Sequence, residues 1–167
     1  TSIKPWPSCR HTHPAIDAAQ GIRAELKNRG IALVEEMVRS VEVGVYQATL
    51  DVCDRVNPTT EYEAKFSIQH TTAAGLLCDK VDFSAFDEEA RAKLAPLRAK
   101  IHPSRQDPYA TDYPRAWGSS VSVTLETGEV LTHTRTHAKG DPEAALSADE
   151  MIEKAHMLLT HAGIAQP

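Results

Sequence analysis

A proline-rich strip opens the chain and runs directly into a helical pattern, and this junction constrains the fold more than any other feature. A proline fixes its own φ at about −65° and favours extended geometry at the residue before it. Pro5 and Pro7 therefore predict a stiff, extended strip up to Pro14, which stands at a first helical position. Apolar side chains then recur at spacings of three and four until Gly30, which predicts a helix over residues 14 to 29.

The strip is dense in side chains that transfer protons or bind anions. They are Lys4, Cys9, Arg10, His11 and His13. A helix N-terminus carries a partial positive charge and unpaired N–H groups. Because Arg10, His11 and His13 lie close to the predicted helix start, the sequence favours binding of an anion there, either a carboxylate or a phosphate.

Lys4 and Cys9 each have two interpretations. Most lysines are solvated surface residues, but Lys4 is held between prolines, beside Trp6 and near other cations. Such neighbours lower the pKa of a lysine, which can then act as a general base. Cys9 is either a nucleophile with a lowered pKa or a small residue packed under the helix.

A metal site is the alternative to an anion site. Cys9, His11 and His13 alternate along the strip, so in an extended segment they share one side and could ligate a metal. No C-x-x-C or H-E-x-x-H motif occurs, and no carboxylate accompanies them in the strip. Metal binding is therefore the less favoured hypothesis, and His133 and His137 are expected to be solvent-facing strand residues.

Alternating strands and capped helices are predicted along the rest of the chain. Strands are expected at residues 37 to 46, 119 to 125 and 129 to 136, the last two as a hairpin, with residues 101 to 108 extended. A Ser or Thr followed three residues later by an acid predicts helix starts at Thr60, Ser84 and Ser147. This order predicts an α+β fold with a small, mostly antiparallel sheet and packed helices.

Two of these predicted helices carry further expectations. The helix that starts at Thr60 should reach about Cys78, and it places His70 on its apolar side with Tyr62 and Phe66. A histidine in such a position is more often a hydrogen-bonded core residue than a catalyst. The helix after Ser84 should be kinked or restarted at Pro96.

Composition excludes several classes of protein. The 167 residues, 41% of them hydrophobic, suffice for one domain or a little more. A net charge of −5 argues against nucleic acid or an anionic membrane as the main partner, and no apolar run is long enough to span a bilayer. Three cysteines without paired spacing predict reduced thiols in a cytoplasmic setting. Because the chain opens at Thr1 without an initiator methionine, it is expected to be a fragment of a longer protein.

Three separated motifs resemble one known family. The segment KPWPSCRHTHPAIDA at residues 4 to 18 is similar to the segment that opens the smaller domain of MmgE/PrpD proteins. The segment AKFSIQH at residues 64 to 70 resembles a family helix in which tyrosine is common where His70 stands. KGDP at residues 139 to 142, with Leu146 and Ser147, resembles a third motif in which Ala144 and Ala145 replace Asn-Pro. The family includes 2-methylcitrate dehydratase, cis-aconitate decarboxylase and iminodisuccinate epimerase.

The resemblance implies half of a two-domain enzyme. Residues 1–139 would form an α+β lid domain, and residues 140–167 would return toward an N-terminal helical domain absent from this chain. Such enzymes move a proton next to a carboxylate of a small di- or tricarboxylate, without metal or organic cofactor. The subfamily chemistry, whether dehydration, decarboxylation or epimerisation, is left open.

The resemblance also implies roles for the strip. Lys4 and His11 would be catalytic, and Cys9, Arg10 and His13 would bind substrate. The full-length protein would be a homodimer, and this chain alone would be inactive. The alternative functions are a non-catalytic metal-binding module, or a carboxylate-binding module that does not transform its ligand, using Cys9, His11 and His13.

Overall fold

The computed structural model describes residues 1–164, in which a four-stranded sheet carries helices on one face. The strands are β1 (Val38–Val45), β2 (Ile101–Arg105), β3 (Ser119–Leu125) and β4 (Val130–Arg135), in the order β2-β1-β3-β4. β3 pairs antiparallel with β1 and with β4, whereas β1 and β2 are parallel. The predicted strands, the hairpin and the α+β class are confirmed, and the single parallel pair makes the sheet mixed.

Seven α-helices complete the described part of the chain. They are α1 (His13–Asn28), α2 (Gln47–Cys53), α3 (Glu61–Lys65), α4 (Ile68–Leu77), α5 (Glu88–Arg98), α6 (Tyr109–Asp112) and α7 (Ala148–His161). Short 3₁₀ turns also occur, and the first, Arg10–Thr12, directly precedes α1. The prediction of α1 is confirmed, since Pro14 lies in its first turn and Gly30 follows its end with a φ of 77°.

The helix predicted from Thr60 to Cys78 is wrong as a single element. Thr60 does cap α3, because its side chain accepts the N–H of Glu63. The chain then breaks, and the Ser67 side chain accepts the N–H of His70 at 3.0 Å to start α4. Two separate N-caps therefore replace one continuous helix, and Tyr62 is 70% exposed.

The expected cap at Ser84 is also wrong. Asp82 caps the 3₁₀ turn Phe83–Phe86, and Asp87 accepts the N–H of Ala90 to start α5. Both aspartates act as N-caps because a carboxylate is a strong hydrogen-bond acceptor at a helix N-terminus. α5 continues through Pro96 to Arg98, so the helix does not restart there. The short helix α2 was not predicted at all.

The core lies between the sheet and the helices α1 and α4. β3 shows why, because Val121, Val123 and Leu125 are buried on one face while the intervening Ser122 and Thr124 are partly exposed on the other. α1 packs on β3 and β4 and also on α4, and α5 packs on α4. This layer fixes the start of α1, and with it the strip that precedes α1.

α7 joins this body mainly through polar and ring contacts. Its capping box at Ser147 and Glu150 is present as predicted, but none of its residues is fully buried. The Lys154 ammonium donates to the Lys4 carbonyl oxygen, and the His161 ring stacks on Phe83 with 3.8 Å between centroids. The predicted division at residue 140 stays a prediction. No helix within residues 1–164 has the length and apolar character needed to cross a bilayer.

Candidate active site

The strip is held in place by the KGDP segment and by α3. The N–H of Ile3 donates to the carbonyl oxygen of Gly140 at 2.8 Å, and the N–H of Cys9 donates to that of Lys65 at 2.9 Å. Gly140 has a φ of 92°, and a Cβ there would lie 1.8 Å from the Ile3 oxygen. Only glycine allows this approach, so the third motif fixes the position of the first.

A 3₁₀ turn changes the side that each strip residue faces. Arg10–Thr12 form this turn, and α1 follows at His13. An extended strand would place Cys9, His11 and His13 on one side, but a 3₁₀ turn rotates successive residues by about 120°. The structure therefore does not bring the three side chains together, and residues 1–164 contain no group of three His, Cys, Asp or Glu residues suited to a metal.

Lys4 lies on the surface beside this turn. The residue is exposed, and its ammonium donates to the carbonyl oxygen of Ser8 at 3.3 Å. This contact turns the ammonium back along the strip toward Cys9 rather than away from it. The N–H groups of Thr12 and His13 bond within the turn, to the carbonyl oxygens of Cys9 and Arg10. The anion site expected at a free helix N-terminus is thus partly occupied by the chain itself.

Cys9 is half-buried against Cys53 at the end of α2. A hydrogen bond from the Cys53 thiol lowers the pKa of Cys9, the His11 backbone N–H and the Lys4 charge lower it further, and burial opposes them. The same hydrogen bond and the burial raise the pKa of Cys53. Cys9 is therefore the more acidic thiol of the pair.

Arg10 contacts an acid and an aromatic ring. Its guanidinium donates to the Asp141 carboxylate at 2.5 Å, and its Cζ lies 3.9 Å from the centroid of the Trp117 ring. The Asp141 side chain is only 7% exposed, so this carboxylate offsets much of the Arg10 charge. The Arg10 Nε is buried and has no hydrogen-bond partner within the described residues.

His11 is held by two aromatic side chains. Its Nδ1 lies 2.8 Å from the Tyr46 hydroxyl, and its ring stacks on Trp117 with 4.7 Å between centroids and 7° between planes. Burial and then the Arg10 charge lower the pKa of His11, and burial raises that of Tyr46. At neutral pH a neutral imidazole therefore meets a protonated phenol, and Nε2 has no hydrogen-bond partner among residues 1–164.

His13 corrects the expectation that it shares one side of the strip with Cys9 and His11. The residue is 1% exposed, and its ring meets the edge of Trp6 at 5.3 Å between centroids. Burial is the main reason that its pKa falls to about 3. A neutral, buried imidazole is not placed to bind a carboxylate as a cation.

The other histidines separate into two environments. His70 is fully buried and hydrogen-bonded, as its position on the apolar side predicted. His133 corrects the expectation of a solvent-facing residue, because β4 packs on α1 and its Nε2 lies 2.8 Å from the Glu25 carboxylate. His137, just after β4, is half-buried rather than solvent-facing.

Sequence reasoning missed three residues that contact the strip: Tyr46, Trp117 and Asp141. Asp141 could have been predicted, because it lies inside the KGDP motif. Tyr46 and Trp117 carry no local signal, since Tyr46 ends a predicted strand and Trp117 lies in a loop. Only the packing of β1 and β3 brings them to the strip.

One comparison with known proteins finds a match. The family described as the MmgE/PrpD C-terminal domain matches residues 6–166, which is almost the whole chain. Among curated proteins, no sequence matches this one.

Proposed function

The chain belongs to the MmgE/PrpD family through its C-terminal domain, and we propose that it is the lid domain of a lyase or isomerase acting on a small di- or tricarboxylate. The reaction class is proton transfer at a carbon next to a carboxylate. The presence of Lys4, Arg10 and His11 in one strip supports this proposal, because such a reaction needs a base, a proton donor and cations near the developing negative charge.

The proposed roles follow from the surroundings of each group. His11 is neutral. In the tautomer whose Nδ1–H donates to the Tyr46 oxygen, Nε2 carries no proton and has no partner in the described part of the chain, so it can accept a proton. The Lys4 ammonium donates a proton or stabilises the enolate-like charge. Arg10 binds a substrate carboxylate through Nη1, because Nη2 is paired with Asp141 and Nε is buried.

His13 takes a different role in this proposal. Because it is buried, we assign it to supporting the strip beneath Trp6 rather than to contacting substrate. The open question of dehydration, decarboxylation or epimerisation depends on which further groups face the substrate.

The position of the proposed groups outside the cavity of the described residues supports a two-domain enzyme. A cavity of about 690 Å³ lies between α7 and the body, but none of Lys4, Arg10 and His11 lines it. Within residues 1–164 these three residues therefore lie outside that cavity, whereas enzymes exclude water from such chemistry. We propose that an N-terminal helical domain supplies the opposite wall, and that the full-length protein is a homodimer.

α7 fits the same arrangement. Met151, Ile152 and Leu158 are exposed on this helix, and residues 140–167 are proposed to lead back toward the helical domain. An apolar helix face of this kind is stabilised when another element covers it.

The decisive experiment replaces Lys4 in the full-length protein. We expect Lys4→Ala to lower turnover by about 10² to 10⁴ fold, the usual contribution of an acid/base group. Substrates to test are 2-methylcitrate, cis-aconitate and iminodisuccinate, with products detected by mass spectrometry. Lys27→Ala, an exposed lysine on α1, is the matched control and should keep the wild-type rate.

Two results would contradict the proposal. A Lys4→Ala enzyme that folds and keeps a rate near that of the wild type would remove Lys4 from the mechanism. Turnover by the 167-residue chain alone would show that no second domain is needed. Saturable binding of these acids by the full-length protein without any product would instead support the carboxylate-binding alternative.

A further inference from the structure

Trp117 touches two of the three groups proposed to act on substrate. It lies in the loop between α6 and β3, partly buried, while Arg10 and His11 lie in the 3₁₀ turn before α1. Its ring stacks on the His11 imidazole at 4.7 Å and lies 3.9 Å from the Arg10 Cζ. One indole thus contacts two adjacent residues of the strip.

We propose that Trp117 is a positioning residue that holds the His11 imidazole and the Arg10 guanidinium in their working orientations. This inference rests on the proposed function for the roles of His11 and Arg10. The contacts themselves do not depend on that function, so positioning can be measured separately from turnover.

The other contacts of His11 and Arg10 leave the planes of both side chains free to rotate, and Trp117 restrains this rotation. The Tyr46 hydroxyl binds one atom of the His11 ring, so the ring can still tilt about that hydrogen bond. Stacking with 7° between planes fixes the tilt. Asp141 likewise binds Arg10 through one nitrogen, and the Trp117 face restrains the plane of the guanidinium.

Trp117 is itself held firmly enough to serve this purpose. Its Nε1 donates to the Pro114 carbonyl oxygen at 3.2 Å within the same loop. Two residues further on, the Ser119 hydroxyl donates to the Gly44 carbonyl oxygen of β1 at 2.8 Å. Tyr113 of this loop stacks on Tyr46 with 4.3 Å between centroids, so the loop supports both partners of His11.

Trp117 also covers one face of the imidazole. The titratable groups that face His11 are Arg10 on its own turn, Tyr46 at the end of β1, and Tyr113 in the loop. Asp141, the nearby acid, is paired with Arg10. Removing the indole exposes His11 to water and lets Arg10 move, and both changes raise the pKa of His11 toward its usual value.

The test is an NMR titration of the histidine rings in the 167-residue chain. We expect Trp117→Leu to raise the pKa of His11 by about half a unit or more, and Trp117→Phe to raise it less, because the phenyl ring still stacks. Tyr62→Leu is the control, since Tyr62 is also aromatic but is 70% exposed on α3. His70 serves as an internal reference whose pKa should not change.

A second measurement uses the full-length enzyme. Trp117→Leu should lower kcat by about tenfold through misorientation, shift the acid limb of the pH–rate profile upward, and change KM much less. An unchanged His11 titration in folded Trp117→Leu would overturn the inference, and where Trp117→Leu does not fold, an unchanged titration in Trp117→Phe would do so. If His11 titrates as expected but the wild-type enzyme turns over no carboxylic acid, the proposed function fails and the positioning stands.

Discussion

His70 and His11 are both neutral histidines in aromatic surroundings, yet they differ in how many ring nitrogens are engaged. The His70 Nδ1 lies 3.2 Å from the Arg98 guanidinium, and its Nε2 lies 2.8 Å from the Ala85 carbonyl oxygen. Because a guanidinium can only donate, Nδ1 accepts and Nε2–H donates. His11 has only Nδ1 engaged, by Tyr46, within the described residues.

Arg98 explains why the His70 region is structural. Arg98 is 6% exposed, and its other partners are the carbonyl oxygens of Val56 and Arg91, at 2.9 and 2.8 Å. A buried cation with these partners requires every one of them, because an unsatisfied buried charge is costly. A lowered pKa alone therefore does not identify a catalytic histidine, and the accessible nitrogen separates the two.

Lowering the pH should produce the largest loss in the free energy of unfolding, because the two buried histidines must become protonated when the chain unfolds. Burial lowers the pKa of His70 to about 4 and that of His13 to about 3, from the usual 6.5. The unfolded chain therefore binds more protons below pH 6.5, so stability is full above pH 6.5 and falls as the pH drops toward these values. At about 1.4 kcal/mol per pKa unit, each histidine costs on the order of 3 kcal/mol by pH 4.

Urea unfolding of the 167-residue chain at pH 7, 5.5 and 4.5 measures this loss. The His70→Leu variant should lose less stability over the same pH range than the wild type, because one of the two groups is gone. Equal losses in both proteins would show that His70 is not protonated on unfolding.

Replacement of His70 should have the next largest effect. His70→Leu deprives Arg98 of an acceptor and Ala85 of a donor, so we expect a loss of about 2 to 3 kcal/mol in the free energy of unfolding at pH 7. His11→Leu is the matched control and should cost less than about 1 kcal/mol, because its ring is half-exposed. Equal losses for the two variants would break the distinction drawn between these sites.

Removal of the Tyr46 hydroxyl should have the smallest effect. Tyr46→Phe deletes the hydrogen bond to the His11 Nδ1 and keeps the buried ring, which predicts a loss of about 0.5 kcal/mol. Thermal unfolding measures this change. A loss above about 2 kcal/mol would mean that His11 is as tightly built into the structure as His70.

Local patterns in the sequence predicted most of the elements. Prolines and apolar spacing located α1 within one residue at each end, and alternation located β1, β3 and β4. The errors arose where more than one polar residue could serve as a helix N-cap. Ser67 caps a second helix, so one predicted helix is divided into α3 and α4, and Asp87 caps α5 in place of Ser84. Such choices depend on energies of about 1 kcal/mol, which surrounding packing can reverse.

The sequence predicted which residues of the strip matter, but it did not predict the positions of their side chains in space. The sequence singled out Lys4, Cys9, Arg10, His11 and His13. The structure then buries His13, while Lys4 stays exposed. The contact of His133 with Glu25 of α1 was missed for a similar reason, because alternation predicts that two faces exist but not which element covers each of them.

Local sequence predicts the helix start and the strands, because these depend on backbone sterics and on periodicity within a few residues, and three motifs indicate the family. The side chains that support the proposed catalytic groups follow only from the folded chain. His11 meets Tyr46 across 35 residues and Arg10 meets Asp141 across 131. Contacts at such separations form only when the sheet and α1 pack together, so no local pattern encodes them.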